Sequence, residues 1–115
     1  MRYFALLMVL TFVPSVAYSQ QMEVRLSSLT SPVHTGKDVK ILVKTAANAN
    51  CQISVTNQSG PIKAQGLIPK SADRKGQVRW TWRVPTNTTP GVWPITVTCV
   101  VGKQAGTLKS LLVVQ

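Results

Sequence analysis

Few residues in this chain could carry out a reaction. Its 115 residues include one histidine, His34, three acids, Glu23, Asp38 and Asp73, and two cysteines, Cys51 and Cys99. His34 and Asp38 flank a turn beside Ser31 and Thr35, the residue types of a base, an orienting acid and a nucleophile. Such a triad works only when all three groups are held in register. The turn around His34 (TSPVHTGKD) instead predicts a solvated histidine. No catalytic residue is assigned. One histidine, three carboxylates and two cysteines expected to bond to each other do not fill a metal coordination shell. No glycine-rich phosphate loop is present. The expectation is a non-enzymatic protein with no metal and no cofactor.

Charge is the stronger signal. Thirteen Lys and Arg face three acids, a net +10. A balance of this kind attracts polyanions, whether nucleic acid, anionic glycans, phospholipid headgroups or lipopolysaccharide. The first nineteen residues are expected to be a secretory signal peptide. Arg2 supplies the positive start, Tyr3 to Val13 the apolar run, Pro14 the break, and Ala17-Tyr18-Ser19 the small residues before a cut after Ser19. The apolar run falls short of the ~20 residues that span a bilayer. Cleavage leaves twelve basic and three acidic residues, a net +9. Export permits a disulfide, and an even cysteine count favours a Cys51–Cys99 bridge.

The elements that would position these groups read as strands. Met22, Val24 and Leu26 alternate with polar residues. So do Val39, Ile41 and Val43, then Cys51, Ile53 and Val55. Ile62 to Pro69 holds Gly66 and Pro69 and is at best a short edge strand. Val78, Trp80, Trp82 and Val84 form the fifth and clearest alternation. Trp93 to Val101 follows, with Pro94 predicting an edge position or a bulge near that strand's start. Thr107 to Val114 closes the chain. Turn residues separate every segment, and none has helical spacing outside the signal. Seven short strands in about 96 residues predict an all-β, immunoglobulin-like antiparallel sandwich with one disulfide. A small barrel is the competing architecture.

Alternation also sorts the side chains into faces. Trp80, Trp82 and Trp93 are expected in the core, although paired tryptophans also suit a platform for sugars or bases. If the second and fifth strands pair, Lys40, Lys44, Arg79 and Arg83 share one outward surface, and Arg25 joins it if the first strand does. Like charges facing each other across strands destabilise a sheet. A surface that carries them therefore points to an anionic ligand. The plainer alternative is that outward Lys and Arg keep a sheet soluble and its edges unsticky.

The run from Val39 to Cys99 resembles bacterial secreted immunoglobulin-like modules. The likeness is carried by Cys51, Ser59-Gly60-Pro61, Ala64-Gln65-Gly66-Leu67, Ser71-Ala72-Asp73, Gly76 to Val84 (GQVRWTWRV), Thr88 to Pro94 (TTPGVWP) and Ile95 to Cys99 (ITVTC). The resemblance implies a β-sandwich on an exported bacterial protein, used as a stalk or binding unit. Under it, the glycosylation-like triplets Asn57-Gln58-Ser59 and Asn87-Thr88-Thr89 are chance matches. Cys51 opens the third strand rather than the second, so the bridge need not join the two sheets as in antibodies.

Together these observations predict a secreted or periplasmic binding or structural module. The expected partner is a protein or an anionic envelope polymer, with nucleic acid less favoured. The alternative is a secreted effector or inhibitor that blocks a target protein through the turns Pro85 to Gly91 and Ser71 to Lys75.

Overall fold

A computed structural model describes residues 20–115, and the expected signal peptide lies outside the described residues. The strands are β1 (Gln20–Gln21), β2 (Arg25–Leu29), β3 (Asp38–Lys44), β4 (Asn50–Asn57), β5 (Gly60–Pro61), β6 (Lys70–Ser71), β7 (Gln77–Arg83), β8 (Gly91–Val101) and β9 (Gln104–Val114). They form two sheets. The larger runs β1-β9-β8-β4-β5, with β6 also on the outer edge of β4, and the smaller runs β2-β3-β7. Pairing is antiparallel except for the two-residue β1 along β9. The expected all-β sandwich is what forms.

Its core follows from the alternation. Val39, Ile41 and Val43 of β3 and Val78, Trp80 and Trp82 of β7 point inward from the small sheet. Cys51 and Val55 of β4, Trp93, Ile95, Val97 and Cys99 of β8, and Leu112 and Val114 of β9 meet them from the large one. Period-two burial is strict in β3 and β7, as expected for sheets with one wet face. All three tryptophans are buried, and each large ring removes much apolar surface from water. Pro94 fits because β4 pairs with β8 only as far as Val55–Ile95, after which Thr56 turns to pair with Pro61. The side of β8 facing β4 is therefore an edge at Pro94, where no ladder donor is needed.

The first segment departs from expectation. Met22 and Val24 are buried, but Leu26 is exposed and residues 22–24 belong to no strand. The chain leaves β9 after Met22 N–H donates to the Ala105 carbonyl, then crosses to the small sheet as β2. A register shift between Leu26 and Ser28 breaks the alternation there. A strand shared between two sheets cannot keep one side-chain phase.

The disulfide lies within one sheet. Cys51 and Cys99 are direct cross-strand partners on β4 and β8, with a Cα–Cα distance of 4.0 Å, and both are fully buried. It clamps two neighbouring strands, unlike the antibody bridge between sheets.

The open edge of β7 is covered by the segment from Ile62 to Pro69. Trp80 Nε1–H donates to the Ile68 carbonyl at 2.7 Å, and Lys70 Nζ donates to the Arg79 carbonyl at 2.8 Å. Gly66, at φ +106°, packs so close that a Cβ would stand 2.1 Å from the Thr81 carbonyl oxygen. Glycine is required there by both backbone conformation and space. Covering the edge in this way removes a template for strand addition.

The turn into β7 depends on one carboxylate. Asp73 Oδ1 accepts the N–H groups of Lys75 and Gln77, each at 2.9 Å. These bonds hold its carboxyl below the ordinary value of 3.8. The Gln77 N–H is the main cause, some desolvation opposes it, and the Lys75 N–H and ammonium add to the lowering. A depressed folded-state value means stability that is present above the unfolded value and lost as pH falls through the folded one. Asp73→Asn keeps the acceptor but not the charge. The wild-type protein is therefore expected to melt above Asp73→Asn at neutral pH, with the gap closing below about pH 4. Parallel thermal melts across acid pH, followed by tryptophan fluorescence, check this.

Candidate functional site

The outer face of the small sheet brings the predicted cations together. β3 and β7 pair along their whole length in the register Asp38–Arg83, Lys40–Thr81, Leu42–Arg79 and Lys44–Gln77. β2 adds Arg25 opposite Lys44. Arg25, Lys40, Lys44, Arg79 and Arg83 are all exposed, while the alternate residues Val39, Ile41, Val43, Val78, Trp80 and Trp82 fill the core behind them. The alternation that buries the tryptophans is thus what presents the arginines.

The register corrects the expectation of like charges facing each other. Lys40 stands opposite Thr81, Arg79 opposite Leu42, Lys44 opposite Gln77, and Arg83 opposite Asp38. Only Arg25 and Lys44 are like charges in direct opposition. The face therefore carries its cations with little repulsion of the kind that destabilises sheets. Tolerance of repulsion is no argument for an anionic ligand here, and the case rests on the arrangement of the charges.

Two acids that the sequence reading did not place here belong to this face. Asp38 Oδ1 accepts from Arg83 Nε at 3.1 Å, and Glu23 Oε2 lies 3.3 Å from Arg25 Nε. Both pairs are exposed, so each adds little to stability. Their effect is on charge, since they neutralise the two outermost arginines and leave Lys44, Arg79 and Lys40 as the uncompensated cations. Asp38 precedes a clear alternation and reads from sequence as the end of a turn. Its partner lies 45 residues away, and only the β3–β7 register brings them together.

The histidine constellation does not assemble. His34 is exposed, the Asp38 carboxylate binds Arg83, and Ser31 Oγ accepts the Val113 N–H at 3.0 Å. Among the described residues, no three His, Cys, Asp or Glu side chains come together. An open cleft of about 540 Å³ beside the disulfide is lined by Asn50, Gln52, Pro69, Lys70, Ser71 and Thr98, among others. Its lysine is engaged with the Arg79 carbonyl.

The two turns proposed as inhibitory loops lie at opposite ends of the sandwich. Ser71 to Lys75 leads into β7 and Pro85 to Gly91 follows it, so seven residues of strand separate them. At about 3.3 Å per residue they stand more than 20 Å apart.

The outer face of the large sheet has a different character. Val92 opposes Val113 and Pro94 opposes Leu111, and all four are exposed. Lys109 is the one charged residue pointing outward from β8 and β9. The apolar run Leu111 to Val114 gave no sign of which residues face out, because apolar residues occupy both phases.

No family model matches this chain, and no curated protein matches it in sequence. Among solved structures, it is similar to the sulfur carrier protein SoxY from Chlorobium limicola f thiosulfatophilum, at 17% identity and a TM-score of 0.48, over 84% of this chain and 83% of that one. It is also similar to a family 123 glycoside hydrolase from Clostridium perfringens, at 13% identity and a TM-score of 0.47. That match covers 82% of this chain and 27% of the hydrolase. Likenesses this distant carry nothing about activity.

Proposed function

We propose that the protein is a non-enzymatic, exported binding module whose basic sheet face holds an anionic polymer of the bacterial envelope. The observation that carries this reading is the β3–β7 register, which gathers Lys40, Lys44, Arg79 and Arg83 on one exposed surface beside Arg25. A rigid sheet is a good platform for such a site, because Lys40, Arg79 and Arg83 each stand between two core residues. The buried Cys51–Cys99 bridge supports an oxidising compartment. The engagement of Asp38 with Arg83 and of Ser31 with Val113, with His34 left exposed, supports a role without catalysis.

The test is retention on heparin resin. The wild-type protein is expected to bind at low salt and elute sharply as salt rises, because binding releases counterions. The variant Lys40→Gln/Lys44→Gln/Arg79→Gln is expected to elute much earlier. The variant Lys109→Gln, on the outer face of the large sheet, should elute near the wild-type position. Elution of the triple variant alongside wild type would sink the assignment to this face. Failure of the wild-type protein to bind at low salt would sink the polyanion reading itself.

A further inference from the structure

The basic strip has defined ends. The described residues contain three acids, and two of them close it, with Glu23 on Arg25 and Asp38 on Arg83. Between these pairs stand Lys44, Arg79 and Lys40, whose side chains make no ion pair with any described residue. Successive cations alternate between β3 and β7, since Lys44 is opposite Gln77, Arg79 opposite Leu42 and Lys40 opposite Thr81. Each step is therefore a cross-strand diagonal of about 7–8 Å. An open cleft lies at either end. One is lined by Glu23, Arg25 and Lys44, the other by Asp38, Lys63 and Arg83.

We infer, resting on the polyanion reading above, that this face takes three consecutive phosphates of a linear polyol-phosphate polymer such as poly(glycerol phosphate). Glu23 and Asp38 set the length of the segment that it takes. A zigzag of single cations at this pitch suits a chain with one charge per short repeat, as in an extended phosphodiester. A glycan with one carboxylate per disaccharide spaces its charges more widely. Arg79, at the centre, offers the planar fork that grips phosphate oxygens in pairs, and the flanking lysines act as point charges. Half-buried Leu42 lies between the two lysines on β3 and gives the carbon linker an apolar contact, while Thr81 and Gln77 can hydrogen-bond its hydroxyls.

Single-stranded nucleic acid fits less well. Such binding uses aromatic side chains on which bases stack. Residues 20–115 contain no Tyr or Phe, and Trp80, Trp82 and Trp93 are all buried. At each end of the strip, a carboxylate meets any further phosphate with like charge while holding the arginine that would otherwise receive it.

Calorimetric titration of the folded protein with synthetic glycerol-phosphate oligomers of three and six phosphates tests this. The slope of log K against log salt is expected near −2 for both lengths, from about 0.7 per phosphate neutralised. Arg79→Gln and Lys40→Gln should each flatten it by about 0.7. Asp38→Asn and Glu23→Gln should each steepen it by about 0.7 for the longer oligomer only, as Arg83 or Arg25 is released. Lys109→Gln, on the other sheet, should change nothing.

Slopes unmoved by Arg79→Gln and Lys40→Gln would overturn the three-cation site. An unmoved slope for the longer oligomer in both Asp38→Asn and Glu23→Gln would overturn the length-setting role. If oligothymidylate or a heparin oligosaccharide binds more tightly than glycerol phosphate while the slopes still respond to the variants, the polyol-phosphate assignment fails and the polyanion reading stands. Absence of binding to all three at low salt overturns both.

Discussion

Replacing both cysteines by alanine is expected to lower the unfolding free energy by about 2–5 kcal/mol. Cys51 and Cys99 are 48 residues apart in sequence, and on the chain-entropy account closing a loop of that size stabilises the fold by roughly 4 kcal/mol. The effect acts mainly on the unfolded chain, so it holds even though β4 and β8 are already paired by their ladder. A domain of this size has about 5–15 kcal/mol in all, so the loss is a large fraction of the total. Denaturant melts of wild type and Cys51→Ala/Cys99→Ala measure it. The variant's midpoint should fall well below that of the oxidised protein, and reductant added to wild type should move it in the same direction. Overlapping curves would mean that the unfolded chain is already restrained by other contacts.

Trp80→Ala is expected to cost about 3–5 kcal/mol, the range for deleting a large aromatic ring from a packed core. Trp80 is fully buried at the centre of β7, and its indole N–H reaches across to the Ile68 carbonyl. A milder series separates packing from that bond. Trp80→Phe leaves the Ile68 carbonyl without its donor, whereas Trp82 and Trp93 bury indole N–H groups that have no partner among the described residues. Phenylalanine at position 82 or 93 therefore removes an unpaired donor along with some volume. Trp80→Phe should be the most destabilising of the three by about 1 kcal/mol, the usual net value of one hydrogen bond. Urea melts of the three single variants give the ordering. An equal loss at all three sites would show that the Ile68 bond contributes nothing. Trp80→Phe should also loosen the Ile62 to Pro69 segment over β7, read as faster amide exchange there.

Much of this architecture was legible in the residue pattern. Side-chain polarity at period two states which face of a strand leaves water, and that is a local property. It assigned Trp80 and Trp82 to the core, Arg79 and Arg83 to solvent, and the whole chain to the all-β class. Pro94 announced a missing ladder partner, and Asn57 to Pro61 and Asp73 to Gly76 announced their turns, because their residue types carry backbone preferences of their own. Where the local signal was mixed, the reading slipped. Leu26 continued an alternation that the crossing between sheets interrupts, and Leu111 to Val114 was apolar in both phases.

What pattern could not supply was partnership across distance. The meeting of β3 with β7, and the register that sets Arg83 on Asp38 and Arg79 on Leu42, depend on which buried faces close against each other. The same holds for the disulfide. Two cysteines and the expectation of export predicted the bond, but only the β4–β8 ladder made it a clamp within one sheet. It holds also for the site. Five cations at outward positions are visible in the sequence, whereas their staggered order, and the two carboxylates that bound it, exist only once strands distant in sequence lie side by side. Burial is decided residue by residue through transfer from water. Register is decided collectively, by loops, turns and the packing of two sheets, so it belongs to the tertiary structure alone.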